Sequence, residues 1–112
     1  MNKGDIILVP FPFTDLSAAK RRPCVVLIAR KRDVTVAFVS TQLKNDAYAI
    51  SLTPSESNGL KAESELILSK IATLDRKTVI GKIGNLNVDE TRRVNQKLTE
   101  ILQLNHSLRN AR

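Results

Sequence analysis

With 112 residues, 42% of them apolar and 4% aromatic, the chain has material for one domain around one modest core. Its 18 Lys and Arg against 11 Asp and Glu give a net charge of +7. That charge points to a polyanionic partner, nucleic acid or an acidic protein, while the scarcity of aromatics argues against the broad stacking platforms of single-strand-binding folds. One cysteine and one histidine leave no internal disulfide and no zinc site of the usual kind. No apolar run is long enough to span a bilayer, and the N-terminus has no signal-peptide pattern, so the expectation is a cytoplasmic protein with no membrane partner.

In chain order, Asp5 to Val9 predicts a first strand with Ile6-Ile7-Leu8-Val9 as its body. Pro10 and Pro12 then exclude a central strand and make Pro10 to Asp15 a stiff extended connection. Phe11 and Phe13 lie two apart and face the same way in an extended chain. Both can cap the core, which is expected of at least one, and the other could instead form one wall of a groove. Leu16-Ser17-Ala18-Ala19 is a small-residue loop leading into Lys20-Arg21-Arg22-Pro23. Cys24 to Ile28 follows as a short β-branched run, read as a strand buried on both faces, with Cys24 buried in it. Pro23 suits the first position of that strand and pushes Arg22 toward an extended conformation. A guanidinium held in a restricted pose at the mouth of a core strand is well suited to grip two phosphate oxygens at once. Basic residues before a strand also serve as a solvated loop that discourages edge pairing, and this stretch alone does not decide between the two.

Arg30-Lys31-Arg32-Asp33 reads as a solvated turn, and Val34 to Val39 as a third strand forming a hairpin with the second. Val34, Val36 and Phe38 share one face; Thr35, Ala37 and Val39 share the other. Ser40-Thr41-Gln42 ends this strand with hydroxyl and amide groups able to bind phosphate or sugar oxygens. In an antiparallel hairpin the end of one strand lies beside the start of its partner, which sets Ser40 and Thr41 near Arg22. Ala49 to Leu52 is a short fourth strand, and Thr53 to Glu65 a loop or turn. Leu66 to Ile71 is a fifth strand and Thr78 to Gly84 a sixth, whose Gly81 and Gly84 signal a close backbone approach or a bulge. Asn87 with Glu90 three residues on forms a capping-box pattern, and Val94, Leu98, Ile101 and Leu102 recur at helical spacing. His106 lies beyond, in a tail ending Arg109-Asn110-Ala111-Arg112, and is expected to be exposed.

Gly4-Asp5-Ile6-Ile7-Leu8-Val9, Arg22-Pro23-Cys24-Val25-Val26-Leu27, Val39-Ser40-Thr41-Gln42, Ile71-Ala72-Thr73-Leu74-Asp75 and Gly81-Lys82-Ile83-Gly84 resemble, in order and over nearly the whole chain, the MazF/PemK family of bacterial type II toxins. The resemblance implies a mainly β fold: a small SH3-like antiparallel β-barrel with a C-terminal α-helix, residues 1–112 as one domain, usually homodimeric. It implies a metal-independent endoribonuclease without cofactor that cuts single-stranded RNA, often mRNA, at short sequences. It also implies a cognate antitoxin partner that blocks the RNA groove. In the family, the arginine of the Arg-Pro motif and a hydroxyl at the end of the third strand act in catalysis. These match Arg22 and Ser40. Family members generally carry threonine where Ser40 stands, so Thr41 is kept beside it as a candidate. Lys20, Arg21, Gln42 and Phe13 are the candidate RNA contacts. Two departures matter: the loop before Arg-Pro lacks the glutamate of many members, and Ser69 falls about where some relatives carry an acid. The general base is therefore unassigned, and Asp15 is merely near in sequence. The alternative is a catalytically degenerate module on the same barrel that binds nucleic acid or a protein target.

Overall fold

The computed structural model describes residues 1–10 and 21–104. The sequence's alternating apolar runs form six strands: β1 Asp5–Pro10, β2 Arg21–Ala29, β3 Asp33–Ser40, β4 Ala49–Leu52, β5 Ser64–Asp75 and β6 Gly81–Asn85. One helix, α1 Val88–Ile101, follows. The strands hydrogen-bond in the order β4-β5-β3-β2-β1-β6, every neighbouring pair antiparallel. The sheet curls into a half-barrel with β4 and β6 as its edges and α1 packed against β4 and β5.

Because successive strand residues point to opposite faces, the sheet builds two apolar clusters. Ile6, Val25, Ala37, Val39, Leu52, Leu66 and Leu68 pack on one side with Val94 of α1. Ile7, Val9, Cys24, Val26, Val34 and Val36 pack on the other, with Phe38 against them. The faces expected for the third strand are those observed, and β2 is buried on both faces through Val26. Each fully buried Val, Leu or Ile contributes about 1.5–3 kcal/mol relative to an exposed one. Cys24 is a buried free thiol, and burial pushes its pKa up to about 12.

Several boundaries differ from the sequence expectation. Pro23 is the third residue of β2, not the first, and pairs with Leu8 of β1. Pairing to β3 begins only at Cys24, so the missing N–H costs little there. The β2–β3 register shifts between Val26 and Ile28, and Ile28 turns outward to 49% exposure. Thr78 to Ile80 is not strand. Asp75 accepts a hydrogen bond from the Lys77 N–H at 2.8 Å and so caps a 3-10 turn over Arg76–Thr78. This local side-chain bond competes with the ladder, and β6 starts only at Gly81. β5 in turn runs on to Asp75, well past Ile71.

The segment from Thr53 to Glu63 is a loop, and it is firmly held. Asn58 is fully buried, and its amide uses all four bonding positions. Its oxygen accepts from the Ser55 and Leu60 N–H groups at 3.0 Å, and its nitrogen donates to Thr53 O at 2.8 Å and Glu90 Oε2 at 3.1 Å. Glu90 also completes the expected capping box of α1 with Asn87. Val94, Leu98 and Ile101 of α1 meet the core, whereas Leu102, at the C-cap, is 57% exposed and leaves the apolar stripe. Phe11, Phe13, Asp15, Leu16 to Lys20 and the tail with His106 lie outside the described residues.

Candidate functional site

The hairpin of β2 and β3 fixes the first part of the site. Cys24 pairs with Phe38 at the open end of this ladder, and Arg22 of β2 and Ser40 of β3 each lie two residues beyond that pair. Arg22 is also paired with Val9 of β1, so its backbone is held within the sheet while its side chain is half-buried. Ser40 Oγ accepts a hydrogen bond from the Gln42 N–H at 3.1 Å. This bond fixes the turn out of β3 and uses a lone pair of the oxygen, leaving the O–H to donate elsewhere.

Glu65 holds the next stretch of the turn. It pairs with Ser40 across the sheet, is buried, and accepts the Lys44 and Asn45 N–H groups at 3.2 and 2.9 Å through its two carboxylate oxygens. Asn45 takes a positive φ of 52°, a conformation asparagine tolerates better than most residues.

β5 supplies the opposite wall. Ala37 of β3 pairs with Ile71, but the next residue, Phe38, pairs with Ile67. Leu68, Ser69 and Lys70 therefore bulge out of the β3–β5 ladder. Leu68 points into the core, whereas Ser69 and Lys70 are exposed.

These pieces enclose a cavity of about 570 Å³. Arg22, Ser40, Gln42, Ser69 and Lys70 give it polar walls, and Phe38, Ile67 and Ile71 give it an apolar side. Thr41 and Arg21 are exposed and lie outside this lining; Lys20 and Phe13 fall outside the described residues. Sequence reasoning noted Ser69 only as standing about where some relatives carry an acid, and it missed Lys70 as a lining residue. The available signal was a polar pair interrupting the apolar run Leu66-Ile67-Leu68 before Ile71. Among the described residues, no three His, Cys, Asp or Glu side chains come together as a metal-binding group.

The cavity sets a guanidinium, an ammonium, hydroxyls and an amide, all groups able to hydrogen-bond phosphate oxygens, beside an apolar wall. The fold and cavity thus define a small, curled antiparallel β protein with a polar, cationic cavity on one side of its sheet. The chain belongs to the PemK-like, MazF-like toxins of type II toxin–antitoxin systems, whose family model matches residues 2–102. Similar solved structures include an endoribonuclease in complex with its cognate antitoxin from a mycobacterial species, at 15% identity and a TM-score of 0.75, covering 93% of this chain and 96% of that one. The Mycobacterium tuberculosis toxin MazF-mt6 is similar at 18% identity and a TM-score of 0.71, covering 88% and 96%. A MazE–MazF structure from Deinococcus radiodurans is similar at 19% identity and a TM-score of 0.73, covering 92% and 96%. At these identities the likeness is one of fold. No curated protein matches the sequence.

Proposed function

We propose that this toxin is a sequence-specific, metal-independent endoribonuclease acting on single-stranded RNA, that it works as a homodimer, and that a cognate antitoxin covers its cavity. The observation that carries the proposal is the convergence of Arg22, Ser40 and Gln42 on one cavity. Family membership and neighbours that are endoribonucleases or antitoxin complexes support it.

In the proposed step the substrate's 2′-oxygen attacks the adjacent phosphorus. The new 2′-O–P bond forms and the P–O5′ bond breaks, giving a 2′,3′-cyclic phosphate and a 5′-hydroxyl. The 2′-hydroxyl loses its proton and the leaving 5′-oxygen gains one. The charge on the pentacovalent phosphorane is what needs stabilising. A guanidinium, charged at every physiological pH, does so with two parallel hydrogen bonds, and the Ser40 O–H adds a third.

The test is cleavage of a long single-stranded RNA in EDTA, with mapping of the new ends. Wild type is expected to cut at a short recurring sequence and leave cyclic phosphates. By analogy with loss of an oxyanion donor, Arg22→Ala is expected to lose at least about a hundredfold in rate. An unimpaired Arg22→Ala enzyme would remove that residue from the mechanism. Folded, antitoxin-free wild type that binds RNA without cutting it would return the binding-module alternative.

A further inference from the structure

Lys70 reaches the cavity because β5 does not run straight. Between the pairs Ala37–Ile71 and Phe38–Ile67, β3 advances one residue and β5 four. The bulge is anchored on its core side, where Leu68 is 1% exposed and donates its N–H to Tyr48 O at 2.9 Å. Lys70 is therefore carried on a fixed stretch of backbone.

Its charge has no internal use. Lys82 pairs with Asp5 at 3.2 Å and Lys97 with Glu100 at 3.9 Å. Lys70 has neither an ion pair nor a side-chain hydrogen bond among the described residues. Among the described residues no carboxylate lines the cavity. The nearby carboxylate on β5, Glu65, is buried and bonded to the amides of Lys44 and Asn45. The cavity thus carries two basic side chains, Arg22 and Lys70, on walls contributed by different strands. One phosphate needs only one of them.

We propose that Lys70 is a substrate-binding residue that holds a second phosphate of the RNA strand, next to the one gripped by Arg22. This rests on reading the cavity as an RNA site. A compact ammonium with rotatable donors suits such a contact as a point charge that needs no fixed fork geometry.

The experiment measures binding of a fully 2′-O-methylated single-stranded RNA, which has no 2′-hydroxyl to attack, as a function of salt. Wild type, Lys70→Ala, Lys70→Arg and Lys61→Ala are compared, Lys61 being an exposed lysine outside the cavity. Lys70→Ala is expected to weaken binding about fivefold near 0.1 M salt and to reduce the slope of log K against log salt by about 0.7, the value for one lost contact to a single strand. Lys70→Arg should restore both, and Lys61→Ala should change neither. On cleavable RNA, Lys70→Ala should raise KM and leave kcat close to wild type. If wild type cuts RNA while Lys70→Ala behaves like Lys61→Ala, the role of Lys70 is overturned and the nuclease reading stands. If wild type neither binds nor cuts RNA, both are overturned together.

Discussion

Ser40 and Thr41 are adjacent hydroxyls in different surroundings. Ser40 lines the cavity with its oxygen fixed by the Gln42 N–H, while Thr41 points to solvent outside the lining. Under the proposed mechanism, Ser40→Ala is expected to lower kcat roughly a hundredfold and Thr41→Ala less than about threefold, as single-turnover cleavage would read. A reversed order would move the catalytic hydroxyl to Thr41. Cys24 is a second residue whose surroundings fix its behaviour. Burial raises its pKa from an ordinary 9.0 to about 12, so the native thiol is kept neutral. On raising the pH, the thiol of the unfolded chain ionises first. The stability gained by keeping it neutral is whole below about pH 9 and declines between 9 and 12. At pH 9, native Cys24 should alkylate at least about tenfold more slowly than in urea-unfolded protein, since thiolate and access are both needed. Equal rates would contradict its burial. At this scale Arg22 was legible from sequence, because Pro23 restrains it in any fold. Lys70 was not, because its place depends on a bulge defined only by the partner strand.

Among the elements, β6 and the loop before β5 are locked together by two glycines. Gly59 has φ of +67°, and a Cβ there would overlap the Ile83 carbonyl oxygen. A Cβ on Gly84 would overlap the Ser57 and Asn58 backbone. Gly81, in the same strand as Gly84, has nothing near its missing side chain. Gly59→Ala and Gly84→Ala are each expected to destabilise by about 1–3 kcal/mol, through left-handed strain at the first and overpacking at both. Gly81→Ala should stay within about 0.5 kcal/mol, and denaturant melts of the three variants separate these outcomes. The sequence marked Gly81 and Gly84 alike as sites of close approach or bulging. The structure distinguishes them: the β1–β6 register shifts between Ile6 and Ile7, opposite Gly84 and Lys82, and only Gly84 meets another backbone. The misplaced start of the sixth strand has a local cause, since Thr78 and Val79 have strand propensity but Asp75 caps a turn there first.

For the whole molecule, the net charge of +7 predicts an RNA affinity that depends on salt. The slope of log K against log salt is expected to be on the order of −1 or steeper, because each phosphate neutralised on a single strand contributes about −0.7. A flat dependence would mean that the charge is not used in binding. The sequence by itself determined the alternation that makes six strands, the period change that makes α1, and the capping box at Asn87 and Glu90. It also marked Arg22 and Ser40 as chemically apt and placed them together, because a hairpin's register is set by local pattern and a short turn. Only the tertiary structure decided what stands across from them. The β3–β5 pairing joins strands separated by β4 and a long loop, and its slip at Phe38 turns Ser69 and Lys70 into a cavity wall. A non-local register follows from how both cores fill once the sheet curls, and no window of sequence contains that information.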